Sequence, residues 1–141
     1  MIEEEGSIVI ERPVGVVFDF LLDGENNILW RKTVTDIKRV AGRPNTYKQG
    51  MKGPGGRADG DYEVTEVRPN ESISIRTIAG LVRPTASFKV EPVGQDTRVT
   101  YSLRFDGKGP ARLMEPIVAT IMKSEIGMLE NLKSCLEGRA Q

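Results

Sequence analysis

A carboxylate at position 125 stands among apolar neighbours. In helical register the residues three and four positions away are Ile121, Met122, Met128 and Leu129. A charge on such a face is costly unless it is paired, hydrated or put to use. Glu125 therefore has three readings. It anchors a polar group on a ligand, it acts as a general acid or base with a pKa raised by desolvation, or it is structural, tied to an arginine (Arg31 and Arg76 are the obvious candidates) or with its tip in solvent at a cavity mouth. The first two readings place it in a cavity or its wall, and predict that Glu125→Gln changes ligand affinity more than melting temperature. Tyr101 and Tyr62 are the other candidates for moving protons.

The rest of the inventory narrows the chemistry. The chain has no histidine and one cysteine, Cys135. That removes the Ser-His-Asp and Cys-His arrangements, the commonest general base near neutral pH and the commonest metal ligand. Neither a metal site nor a cofactor is expected, and catalysis would fall to Glu, Asp, Lys, Tyr or Arg. Gly53-Pro54-Gly55-Gly56-Arg57-Ala58 fits the dinucleotide-binding glycine pattern by letter. A strand rather than a helix follows it, and no strand–helix alternation surrounds it. It reads as a hairpin loop, with a lid over a cavity mouth as the functional alternative. Gly107-Lys108-Gly109-Pro110-Ala111-Arg112 opens the last helix, either as an anion-holding helix start or as a flexible connection.

Twenty basic and twenty acidic residues cancel. Without a basic excess or stripe, no nucleic-acid partner is expected. The apolar run at 116–122 is far shorter than the ~20 residues of a membrane span, and the acidic start MIEEEG lacks a signal-peptide core. The expectation is a cytoplasmic protein without integral membrane association, built as one domain over 1–141.

The elements that must position these residues follow from periodicity. A β-branched strand is predicted at 7–11. Pro13 then opens a helix ending near Asp23-Gly24, and a short helical piece follows at 25–30. Six strands are predicted at 33–40, 46–51, 61–67, 72–79, 83–91 and 97–105, with short links that favour antiparallel neighbours. Val99, Tyr101, Leu103 and Phe105 share one face of the last strand; Arg98, Thr100, Ser102 and Arg104 share the other. The apolar face needs a cover. A helix from Gly109 to about Arg139 provides it, with Val118, Met122, Ile126, Leu129, Leu132 and Leu136 at spacings of three and four, widened by Met114, Ile117, Ile121 and Met128. Lys123, Gly127, Glu130, Ser134 and Glu137 fall on the solvated side. Pro116 kinks or restarts the helix, and Gly127 leaves open a close approach to another element or a homodimer contact.

This order, with Ile8-Val9-Ile10-Glu11-Arg12-Pro13 leading to Val17-Phe18-Asp19-Phe20-Leu21, then Trp30, then Tyr62 to Asn70 (YEVTEVRPN), then Asn131 to Glu137 (NLKSCLE), resembles the START-like (SRPBCC) superfamily, and within it the polyketide cyclase/dehydrase-like branch. The resemblance implies an α+β helix-grip fold, a curved antiparallel sheet of about seven strands around a long C-terminal helix with two short helices after the first strand. It also implies a cavity for apolar ligands. Trp30, Tyr47, Tyr62, Phe88, Tyr101, Phe105, Met114, Ile121, Met122, Glu125 and Met128 are the candidate lining; plain core is the alternative for each. Three functions compete: binding of a polyketide-, quinone- or lipid-like molecule, a cofactor-independent cyclase or dehydratase using carboxylate and tyrosine, and a protein-interaction module working through the outer sheet.

Overall fold

A computed structural model describes residues 1–53, 55–80 and 82–138. Strand β1 runs Ile2–Ile10, followed by helix α1 (Val14–Leu22), a 3-10 turn at Gly24–Asn26 and the single turn α2 (Asn27–Trp30). Seven strands follow: β2 (Val34–Val40), β3 (Arg43–Gly53), β4 (Gly56–Asp59), β5 (Tyr62–Arg68), β6 (Ser72–Thr77), β7 (Thr85–Val93) and β8 (Asp96–Phe105). A 3-10 segment at Gly109–Met114 leads into α3 (Glu115–Gly127) and α4 (Leu129–Leu136). The expected helix end near Arg139 lies outside the described residues. The sheet order is β1-β8-β7-β6-β5-β3-β2, with β4 also on β3, and every pairing is antiparallel.

Three departures from the sequence expectation have physical causes. β1 starts at Ile2 because its acidic residues find partners on the outer face: Arg104 Nη2 donates to Glu3 at 2.7 Å and Ser102 Oγ to Glu5 at 2.7 Å. The glycine-rich segment is a hairpin whose return arm, β4, gives the sheet an eighth strand; Pro54 lies outside the described residues. The C-terminal cover is two helices rather than one, because the ladder breaks at Met128, directly after Gly127. A side chain at Gly127 would meet open space, so the residue marks this bend and not a close approach to another element. Pro116 sits in the first turn of α3, where its missing donor does no harm, and the helix restarts there.

The core lies between the concave side of the sheet and the helices. Ile10, Val99, Val17, Ile73, Trp30 and Leu132 are sealed from solvent, each contributing about 1.5–3 kcal/mol. α1 packs on β7 and β8, α3 on β1 and β8, and α4 on β1 and α2. Gly6 makes the approach of α3 possible, since a Cβ there would overlap the Ile126 methyl. That close seating rolls the helix so that Val118, Met122 and Glu125 point inward, while Ile117 and Ile121 are 58% and 52% exposed. The inward stripe is therefore narrower than the apolar pattern suggests, and Ile121 stands on its outer flank. Glu137, expected in solvent, is instead the tie at the end of α4, accepting from the Glu11 backbone N–H at 2.8 Å and from Lys133 at 2.6 Å. Among the described residues, no helix is long and apolar enough to cross a membrane.

Candidate functional site

Glu125 is 4% exposed and is gripped from two directions. Arg31, the residue that ends α2, donates Nε to Oε2 at 2.9 Å and Nη2 to Oε1 at 3.2 Å. Thr33, just before β2, donates its hydroxyl to Oε1 at 2.5 Å. Of the two arginines considered from sequence, Arg31 is the partner; Arg76 pairs with Glu63 on the outer side of the sheet. Burial alone would raise the Glu125 pKa, but the Arg31 charge and the hydrogen bonds from Arg31 and Thr33 outweigh it and hold the carboxyl below its ordinary value. Burial likewise works against the Arg31 charge, and the neighbouring Tyr101 and Glu125 more than offset it, so Arg31 stays protonated.

A polar cluster extends from this pair. Asn27 Nδ2 donates to Tyr62 Oη at 2.9 Å and to Gln49 Oε1 at 3.2 Å, and Arg31 Nη1 reaches the same Gln49 oxygen at 3.4 Å. Gln49 passes its own amide to the Gly60 carbonyl at 3.2 Å. Asn27 and Gln49 are absent from the candidates that the sequence suggests. Gln49 carries a readable signal, a polar side chain two residues from Tyr47 on an inward strand face; Asn27 carries none.

Beside the cluster stands an aromatic wall. Phe88 and Tyr101 stack with centroids 4.5 Å apart, and Trp30 meets both edge-on at 6.0 Å. Trp30, Phe88, Tyr101, Tyr62 and Glu125 are thus brought together on the concave side. Tyr47 stacks on Tyr62 at 5.1 Å, but its hydroxyl accepts from Arg39 at 3.0 Å at the edge of the molecule, so it belongs to the support beneath the Gly24–Asn26 turn. Gly24 is required there: a Cβ would overlap the Tyr62 hydroxyl. Phe105 and Met122 are buried, and Met114 and Met128 half-buried against the same core. Burial raises the phenol pKa of both Tyr62 and Tyr101 well above its ordinary value.

Two further features read from sequence have their own settings. The backbone N–H of Gly107 donates to Glu115 Oε2 at 3.3 Å, so the anion at the opening of the last helix is the chain's own carboxylate. On the outer face, a row of small side chains, Ser74, Ser87 and Ser102, aligns across β6, β7 and β8 and floors a trough of about 750 Å³ flanked by Arg76 and the Arg104–Glu3 pair. Among the described residues, no group of three or more Cys, Asp or Glu is arranged to hold a metal ion.

An antiparallel sheet gripping a bent C-terminal helical cover is the architecture of START-like helix-grip proteins. A family model described as polyketide cyclase / dehydrase and lipid transport matches residues 1–137, and the chain belongs to that family. Among solved structures, a START superfamily protein from Mycobacterium smegmatis superposes with a TM-score of 0.81 at 17% identity, covering 96% of this chain and 97% of that one. A protein of Thermus thermophilus gives 0.80 at 19% identity over 97% and 98%. The di-domain aromatase/cyclase BexL of the BE-7585A biosynthetic pathway gives 0.71 at 19% identity, covering 92% of this chain and 45% of that one. At these identities the likeness is one of fold. No curated protein matches the sequence.

Proposed function

We propose that the protein binds an apolar or amphipathic small molecule between the concave face of its sheet and α3, and that binding rather than catalysis is its task. The observation that carries this reading is the bidentate grip of Arg31 on Glu125, reinforced by Thr33. A carboxylate with its pKa lowered and both oxygens engaged is a weak proton acceptor and no proton donor at neutral pH. The phenols of Tyr62 and Tyr101, raised by burial, are poor bases there as well. What remains is a wall of Trp30, Phe88, Tyr101 and Met122 beside a neutralised polar cluster. Such a surface supplies affinity through apolar burial and orientation through a few polar groups. The family's description and the similarity to BexL favour cyclisation of a ketone chain as the second reading. Native mass spectrometry of the protein taken from its own cells tests the first. A co-purifying small molecule released on denaturation is expected. A bare chain that also converts a poly-ketone substrate would overturn it in favour of the second.

A further inference from the structure

Helix α3 is apolar on two sides. Val118 and Met122 face the core, while Ile117 and Ile121 face out, continued by Leu113 from the 3-10 segment before it. Leu113, Ile117 and Ile121 are 85%, 58% and 52% exposed. They recur every fourth residue, a ridge about 12 Å long. Pro116, Thr120 and Ser124 beside it are exposed and uncharged, whereas the exposed position of α4 is Glu130. A helix apolar all round calls for a second cover.

The charges around the ridge say what that cover is. Lys108 and Arg112 precede it and Lys123 follows it, all exposed. Arg31 and Thr33, which hold Glu125 one turn beyond Ile121, bracket a fourth exposed cation, Lys32. Among the described residues none of these four side chains has a partner. The acids of the helix, Glu115 and Glu125, are engaged by the Met1 ammonium and by Arg31, which leaves Asp106 as the exposed carboxylate of the stretch. A second copy laid antiparallel on the ridge, Ile117 against Ile117, would bring Arg112 of one beside Lys123 of the other. An anionic surface meets no such repulsion.

We propose that the outer side of α3 docks on an anionic lipid bilayer, with Leu113, Ile117 and Ile121 entering the headgroup boundary and the four cations facing lipid phosphates. This concerns the outside of the helix and stands apart from the small-molecule reading of its inner side.

Co-sedimentation of the full chain with vesicles of phosphatidylcholine and about one-third phosphatidylglycerol, set against phosphatidylcholine alone, tests it. Partitioning about ten- to a hundredfold stronger into the anionic vesicles is expected, weakening as salt is raised. The double variant Ile117→Gln, Ile121→Gln should lose at least about fivefold of that partitioning with its melting temperature held, because both side chains lie outside the core. Lys108→Ala with Lys123→Ala should reduce the preference for anionic vesicles. Protein left in the supernatant, equal partitioning into both vesicle types, or no loss in the glutamine variant would overturn the assignment. So would a dimer of the vesicle-free chain that the glutamine variant abolishes, which would give the ridge to a second copy. Should the glutamine variant lose its fold, the lysine variant and the comparison of the two vesicles decide.

Discussion

Glu125→Gln should destabilise the fold substantially. The side chains of Arg31 and Glu125 are 12% and 5% exposed, so the substitution strands a guanidinium with little water to replace its partner. Removing one member of a buried pair costs roughly 3–5 kcal/mol. Glutamine keeps an acceptor for Thr33 or Arg31, and Arg31 retains some contact with solvent, which brings the expected loss to about 2–3 kcal/mol. At this chain length that is a fall of roughly 5–10 °C in melting temperature. Sequence reasoning alone ranks the effect on affinity above the effect on stability; the observed grip reverses the order. The double substitution Arg31→Met, Glu125→Leu removes both charges and should recover most of the loss, because the desolvation of the pair disappears with it. The pH dependence has a fixed sign. Glu125 has a lowered pKa in the folded state, so its stabilisation is fully present above the unfolded value of about 4.3 and fades as the pH falls through the folded value. Urea unfolding of the parent, Arg31→Met, Glu125→Leu and their double variant, with Glu125→Gln alongside, at neutral pH and repeated down to about pH 3, measures all of this. A Glu125→Gln protein within about 0.5 kcal/mol of the parent, or a cycle whose two single losses simply add, would refute the reasoning.

Three other outcomes follow from the same packing. Ile121→Lys should leave thermal stability within about 0.5 kcal/mol, whereas Met122→Ala should cost about 2–5 kcal/mol, because the roll of α3 exposes the first and buries the second; comparable losses would contradict that roll. The raised pKa values of Tyr62 and Tyr101 imply stability that is fully present below the unfolded value of about 10 and lost as the pH rises beyond it. A spectrophotometric titration should therefore show the Tyr62 and Tyr101 phenols resisting ionisation until the chain unfolds, and free ionisation of these two in the folded state would contradict it. Gly6→Ala should destabilise by about 1–3 kcal/mol and be largely rescued by Ile126→Ala, since the new methyl and the Ile126 side chain claim the same space; an unrescued loss would place the strain elsewhere.

The strand alternation at Val99–Phe105 and Ala86–Val90 is plain in the sequence because one face of each strand is dry and the other wet. The acidic start is harder to read. Glu3, Glu4 and Glu5 have little strand propensity by themselves, and Glu3 and Glu5 are held by partners on β8 about a hundred positions away, which no local pattern reports. The same holds for β4, whose glycine and arginine composition reads as loop until the arm of β3 is laid beside it. Within the site, Glu125 is conspicuous because a charge interrupts an apolar period. The need to neutralise it narrows its partner to two arginines. The choice between them needs three-dimensional proximity, and so does Asn27, which is buried where the Gly24–Asn26 turn packs against Tyr62 and Tyr47. Ile121 shows the limit of periodicity from the other side, since a broad apolar stripe does not say which of its edges faces in.

Trp30 is the only tryptophan in the chain, 1% exposed and edge-on to Phe88 and Tyr101, so its fluorescence reports from the middle of the concave face. Titration with a quinone should quench it saturably with one-to-one stoichiometry, and Met122→Phe, which fills the same space without adding a second indole, should abolish that response. Quenching that stays linear in quinone, as for random collision, would contradict a binding site between sheet and helix.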